Sequence, residues 1–215
     1  MLQAEQINKI LGIEESYKAP TVIMDILKDK EKREKVFLDI LQIDSDLSED
    51  TFLGYFEEEH KNKLKYAQEF TPASISKLLT KMLPDSNNTL DIASGSGSLT
   101  IAKWNSDRLK HSPLVYRPSM YFYQCEELSD RVLPFMLANF MLRGMNVAVV
   151  HGDALTREVK QVYLVVNEED DFMKFSTLNI LPHNEQIKKY FNVAKWIDED
   201  KTIIEVAENW LENIL

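Results

Sequence analysis

The sequence predicts an α/β domain built on a largely parallel sheet, with a small helical region in front of it. Three features of the chain carry that prediction. The apolar run Thr89 to Ala93 breaks into the turn Gly95-Ser96-Gly97, and amphipathic sequence resumes at Leu99, which reads as a strand, a tight turn and a helix start. Asn146 to Val150 is a continuous apolar run, the pattern of a strand buried in a parallel sheet. Residues 1–66 show helical spacing and no strand alternation. The 215 residues therefore divide into a helical region over 1–66 and an α/β domain over 67–215.

Within the helical region, Ile7, Ile10 and Leu11 share a face over Gln3 to Leu11, and Gly12 is placed to stop the helix. Pro20 opens a second helix with Val22, Ile23, Ile26 and Leu27 on one face. Glu34 to Ile43 repeats the pattern through Val36, Phe37, Ile40 and Leu41. Asp50 to Tyr66 is more polar, and its run Glu57-Glu58-Glu59-His60-Lys61 reads as an exposed helix face. No chemistry is assigned to this region. Thr71 is placed to cap the next helix with Pro72 in its first position, and Ile75, Leu78, Leu79, Met82 and Leu83 then form one apolar stripe.

After the glycine turn, Met120 to Cys125 reads as a second strand ending in Glu126 and Glu127. Ser129 is placed to cap a long helix through Arg143, which Gly144 ends and which carries Val132, Leu133, Met136, Leu137 and Phe140 toward a core. Val162 to Val166 and Ser176 to Leu181 are further strands. Helices over Glu185 to Tyr190 and Thr202 to Ile214 close the chain.

The net charge is -10, which opposes tight, autonomous binding to nucleic acid, because phosphate neutralisation by Lys and Arg supplies most of that affinity. No apolar run approaches the ~20 residues of a membrane span, and the start at Met1 has neither the basic nor the apolar part of a signal peptide. With a single cysteine, Cys125, no internal disulfide and no multi-cysteine metal site is available. A cytoplasmic location is expected, with Cys125 as a buried structural thiol.

Chemistry concentrates at the predicted carboxyl ends of strands, where open α/β sheets place their ligands. Gly95 and Gly97 can take positive φ and bring a ligand onto the backbone, and the amides at the following helix start favour an anionic or strongly polar group. A plain strand-to-helix connection uses the same residues. Glu126 or Glu127 suits a ribose-hydroxyl acceptor, or else begins a helix as a solvated residue. Asp153, in the stretch His151-Gly152-Asp153-Ala154, suits an adenine-amine acceptor or a turn. His151 is read as a loop histidine without a metal role, since no second His or Cys stands at ligand spacing.

Taken in order, Phe70-Thr71-Pro72, Leu90-Asp91-Ile92-Ala93-Ser94-Gly95-Ser96-Gly97, Glu126-Glu127 and Gly152-Asp153-Ala154-Leu155 resemble the adenine-specific DNA methyltransferases of type I restriction–modification systems. The resemblance is greatest to the short phage- and mobile-element-type members and spans about residues 50–167. It implies a class I S-adenosylmethionine-dependent methyltransferase domain, Rossmann-like, behind the small N-terminal helical region. It also implies a cofactor site for S-adenosylmethionine. Phe70 and Thr71 would lie along the methionine end, and Asp91 with the amides from Ala93 to Gly97 would hold the amino and carboxylate groups. Glu126 or Glu127 would take the ribose hydroxyls, and Asp153, beside Ala154, the adenine amine.

One motif departs from the family. An Asn/Asp/Ser-Pro-Pro-aromatic tetrapeptide is expected after the fourth strand, where it positions the target amine and stacks on a flipped base. This chain has Asn167-Glu168-Glu169-Asp170 there, leaving Asn167 as the one catalytic candidate. Three functions are compatible with the sequence. The first is a cofactor-binding methyltransferase fold with weak or no base methylation. The second is an active methyltransferase that reaches DNA through a partner subunit or acts on another substrate. The third is an acidic, non-catalytic partner or decoy of a restriction–modification or defence complex.

Overall fold

In a computed structural model that describes residues 2–62 and 71–206, the predicted helical spacing of the N-terminal region becomes four helices. Gly12, in the left-handed region at φ 67°, ends α1 (Ala4–Leu11) and returns its amide to the last turn. Pro20 stands in the first turn of α2 (Ala19–Leu27), where its missing N–H costs nothing. The Asp29 side chain accepts from the Lys32 amide and starts α3 (Lys30–Ile43) one turn before the predicted Glu34. The polar stretch after Asp50 forms α4 (Leu53–Asn62). Phe70, and the 66/67 boundary between the two regions, lie outside the described residues.

These helices share one apolar core with the sheet domain. Phe52, Tyr55 and Phe56 meet Phe135, with ring centroids 5.2, 5.1 and 4.8 Å away, and Ile23, Leu27, Phe37 and Ile40 are buried in the same cluster as Leu137 and Met141.

The next helix, α5 (Ala73–Met82), starts one residue later than the sequence suggested: Pro72 is its N-cap and Thr71 is exposed, with no capping bond. Beyond it, β1 (Asn88–Ile92) leads through the glycine turn into α6 (Ser98–Arg108). β2 (Phe122–Glu127) is followed by α7 (Leu133–Leu142). Ser129 does not cap α7 directly: Val132 holds the N-cap position, and the Ser129 amide donates to Glu127 Oε1 at 2.8 Å. Gly144, at φ 65°, closes it as predicted. β3 (Val147–Gly152) and β4 (Glu158–Val166) form a hairpin, and β5 (Thr177–Ile180), α8 (Glu185–Tyr190) and the short β6 (Lys195–Trp196) complete the described elements. No helix begins at Thr202: Ile203 instead bridges Ile180, and the remainder of that predicted helix, from residue 207 on, lies outside the described residues.

The sheet runs in the order β1-β2-β3-β4-β5, with β6 alongside the first part of β4. β1, β2 and β3 are mutually parallel, with crossovers through α6 and α7, the arrangement of one half of a Rossmann-like sheet. β4 then pairs antiparallel to β3, with a register shift at His151/Gly152, and β5 antiparallel to β4. Side-chain alternation divides the two faces. Tyr123 and Cys125 join the core beneath α6, α7 and the N-terminal helices, while Ala148, Val150, Leu164 and Val166 pack with Ile187 and Phe191 on the other. Cys125 is fully buried, and burial pushes its thiol up to about 12, as a structural cysteine requires. Among the described residues no helix is long and apolar enough to cross a membrane.

Candidate functional site

Because β1, β2 and β3 are parallel, their carboxyl ends bring Asp91, the glycine turn, Glu127 and Asp153 to the same edge of the sheet. The turn is built from backbone conformations that extended strands do not use. Ala93 (φ 58°), Gly95 (φ 58°) and Gly97 (φ 85°) are all in the left-handed region. The Ser94 amide still donates to the Glu126 carbonyl at 3.1 Å, extending the β1–β2 ladder by one bond, and its hydroxyl turns back to the Asp91 carbonyl at 2.7 Å. Ala93 is exposed and carries a Cβ that this conformation disfavours. Ala93→Gly is therefore expected to raise the unfolding free energy by about 0.5–1 kcal/mol after the entropic cost of glycine, and with it the urea midpoint; an unchanged or lower midpoint would contradict this.

Asp91 lies under the turn, its carboxylate taking the Thr100 hydroxyl of α6 at 2.8 Å. Burial pushes its carboxyl above the ordinary range, the Thr100 bond partly offsets this, and the charge of Glu127 adds to the rise. Two carboxylates therefore face one end of the sheet, and a cation there is favoured over a second anion.

The paired glutamates separate cleanly. Glu127 takes the Gly95 amide at 2.8 Å and the Ser129 amide at 2.8 Å, so its carboxylate is fixed beside the glycine turn. Glu126 shares the register of Ile92 on the other face and is held by Arg157, at 2.5 Å. Arg157 also donates to the carbonyls of Phe191 at 2.6 Å and Asn192 at 3.1 Å. Strand alternation makes two successive residues diverge, and Glu127 meets the turn because it shares the face of Tyr123 and Cys125, which pack in the core with α6; Arg157, a residue the sequence reading passed over, satisfies the other glutamate.

Asp153 heads a tight turn: its Oδ1 accepts from the amides of Leu155 at 2.8 Å and Thr156 at 3.3 Å, and these bonds hold its carboxyl below the ordinary range. Ala154 is half-buried in the same turn. His151 is not a loop residue. It is buried inside β3, and desolvation pushes its imidazole down to about 4, the Asp130 carboxylate notwithstanding.

A second residue missed in the sequence is Asp50, at the start of the segment leading into α4. Its buried carboxylate receives the hydroxyls of Ser96 and of Ser98 (2.9 Å) and the Asn139 amide at 2.7 Å. Arg143 brackets the same loop through the Leu47 and Glu49 carbonyls and the Thr51 hydroxyl. The N-terminal helices thus hold the glycine turn from behind. No spacing rule links Asp50 to a turn 46 residues away, so the sequence carries no signal for this contact.

Asn167 is placed elsewhere. Expected beside the cofactor turn, it follows β4, which runs antiparallel to β3, and so comes out at the amino end of the parallel strands. Its amide donates to Asn146 Oδ1 at 2.8 Å, just before β3 begins. Its side chain is buried, with Nδ2 donating to the carbonyls of Gly144, Asp171 and Lys174 and Oδ1 accepting from the Asp171 amide. The bonds to Asp171 and Lys174 close the turn after β4, and the bond to Gly144 ties that turn to the end of α7. Asp170 likewise accepts from the amide and hydroxyl of Ser119.

A protein-family model described as N-6 DNA Methylase matches residues 42–203. No curated protein and no solved structure matches the chain.

Proposed function

This chain belongs to the N-6 DNA methylase family, whose model covers well over half of it, and on that premise we propose that it binds S-adenosylmethionine over the turn that follows β1 while methylating adenine in DNA weakly or not at all. The observation that carries this reading is a separation. Asp91, the amides from Ala93 to Gly97 and Glu127 gather at one end of the sheet, and the segment Asn167 to Asp170 stands at the other.

The donor set suits the group. S-adenosylmethionine carries an ammonium and a sulfonium, and the facing carboxylates of Asp91 and Glu127 favour positive charge. When bound it supplies an electrophilic methyl group. Asp91 pairs with the ammonium, and left-handed turn amides take the carboxylate. Glu127 accepts the ribose hydroxyls on the lone pairs that Gly95 and Ser129 leave open. Glu126, tied to Arg157, does not take that role. The second oxygen of Asp153 receives the adenine amine. Thr71 and Phe70 are assigned to the methionine end on family resemblance alone.

Transfer to adenine needs a polar group and a carbonyl held against the target amine, a matter of positioning and placed dipoles. At the amino end of the strands Asn167 supplies neither, since its side chain is consumed by the carbonyls of Gly144, Asp171 and Lys174 and by the Asp171 amide. The net charge of -10 favours, as a second reading, an enzyme that meets DNA only through a partner subunit.

Calorimetric titration with S-adenosylmethionine is expected to show micromolar binding, about -8 kcal/mol. Incubation with labelled methyl donor and duplex DNA is expected to leave adenine unlabelled above background. Absence of heat and of thermal stabilisation by excess ligand would overturn the cofactor assignment. Strong adenine labelling that Asn167→Ala abolishes would overturn the rest.

A further inference from the structure

A turn with two left-handed glycines does not hold its own shape. Gly95 and Gly97 stand at φ 58° and 85°, and glycine reaches many other conformations at little cost. A ligand that binds such a turn either orders it, at a loss of affinity, or finds it already ordered. Two sets of contacts order this one. On the strand side, Glu127 Oε2 takes the Gly95 amide at 2.8 Å and the Ser94 amide donates to the Glu126 carbonyl at 3.1 Å. The second set comes from the helical region.

Ser96, between the two glycines, is only 1 % exposed. Its hydroxyl and that of Ser98, the first residue of α6, both donate to Asp50 Oδ2. Asp50 Oδ1 takes Asn139 Nδ2 of α7 at 2.7 Å, and the same nitrogen donates to the Ser96 carbonyl at 3.1 Å. Asp50 and Asn139 therefore grip Ser96 by its side chain and by its backbone. The carboxylate is itself fixed. Oδ1 also takes the Phe52 amide at 2.8 Å, and the Thr51 amide donates to Asn139 Oδ1 at 3.2 Å. Phe52 is buried against Phe135, which anchors the segment. A buried carboxylate with four donors keeps one orientation, because each donor left without it would be costly.

We propose that Asp50 is a positioning residue for cofactor binding, which makes the N-terminal helices a working part of the site. This rests on the reading that the turn after β1 binds S-adenosylmethionine. Asp50 acts through Ser96 and Ser98, keeping Gly95 where its amide meets Glu127 and α6 where Thr100 meets Asp91. Such coupling is reciprocal. Cofactor on the turn therefore slows the opening of the Thr51 and Phe52 amides, which bond to Asn139 and Asp50 and not to the turn itself.

Amide hydrogen exchange and calorimetric titration test this on the full chain, as wild type, Asp50→Ala and Asp50→Asn. Asparagine keeps an oxygen for Phe52 and Asn139 and offers its own amide to the two hydroxyls; alanine keeps neither. In Asp50→Ala the amides of Gly95, Ser96 and Gly97 are expected to exchange about tenfold faster or more, relative to those of Val149 and Leu164 in the buried strands, so that a global loss of stability cancels. Affinity for S-adenosylmethionine is expected to fall about tenfold or more, and Asp50→Asn to stay within about threefold of wild type in both measurements. In the wild type, saturating S-adenosylmethionine is expected to slow exchange at Thr51 and Phe52. Should Asp50→Ala not fold, Ser96→Ala/Ser98→Ala cuts the same bonds from the turn and carries the same expectation. Unchanged turn exchange in the folded variant, or equal losses in Asp50→Ala and Asp50→Asn, would overturn the role of Asp50. A wild type that binds no S-adenosylmethionine, with a turn that still loosens in Asp50→Ala, would overturn the cofactor reading and support the ordering of the turn by Asp50.

Discussion

Gly97→Ala is expected to cost about 3 kcal/mol, a large part of the 5–15 kcal/mol that holds a domain together. Two penalties add at this position. Gly97 sits at φ 85°, where a Cβ costs about 1 kcal/mol or more. That Cβ would also stand 2.6 Å from Phe140 Cζ and 2.7 Å from Cε1. Phe140 is fully buried in the α7 core and has nowhere to move. Gly12→Ala supplies the internal control, because Gly12 shares the left-handed conformation (φ 67°) with nothing within 4 Å of its Cβ; it should lose only about 1 kcal/mol. Urea unfolding of the two variants separates strain from collision. Adding Phe140→Leu to Gly97→Ala should cost less than the sum of the single changes, since the collision is then relieved. Equal losses at Gly12 and Gly97 would show that conformation alone explains the second glycine of the turn. Whichever ligand the turn serves, this glycine is required by the packing of α6 against α7.

Asp91→Asn is expected to lower the affinity for S-adenosylmethionine by a factor of about 100 or more while making the free protein more stable. The two effects have one origin. Burial, helped by the Glu127 charge, raises the Asp91 carboxyl above its ordinary range, so the folded protein carries an ionised group it would hold more easily as neutral. Asparagine keeps an oxygen for the Thr100 hydroxyl and removes the charge. A raised carboxylate contributes its stability below the unfolded value, near 3.9, and loses it as pH rises through the folded value. The advantage of Asp91→Asn is therefore absent in acid, grows as the pH climbs above the ordinary carboxylate range and is complete at neutrality, where a rise of about 2–4 °C in melting temperature is expected. Thermal melts from pH 3 to 8 with parallel titrations test the pair of effects. A variant that binds as tightly as wild type would remove Asp91 from the cofactor site; one that melts lower at neutral pH would contradict the charge argument.

Short-range features were legible from the residues. The strand, glycine turn and helix from β1 to α6, the helix stops at Gly12 and Gly144, the buried strand β3 and the burial of Cys125 all depend on neighbours a few positions away. The family resemblance rested on the same kind of local pattern, and the family model supports it. Where local signals competed, boundaries moved. Ser129 is a good helix cap by type, yet α7 begins only at Leu133, with Val132 in the N-cap position.

What the residues alone determined, then, is the set of elements and the chemistry available at each turn, because backbone propensity and hydrophobic period act over a few residues. Tertiary structure decided which of those turns share an end of the sheet. β4 folds back on β3 as an antiparallel hairpin, and that one reversal carries Asn167 to the far end from Asp91 and Glu127. The packing of Tyr123 and Cys125 in the core with α6 turns Glu127 to the glycine turn and leaves Glu126 to Arg157, Asp50 reaches that turn across 46 positions, and the stripe on α5 finds no cover within the described residues. Strand direction, long-range ion pairs and the partner of an apolar face are set by which surfaces meet in space, and the order of residues along a chain does not encode that locally.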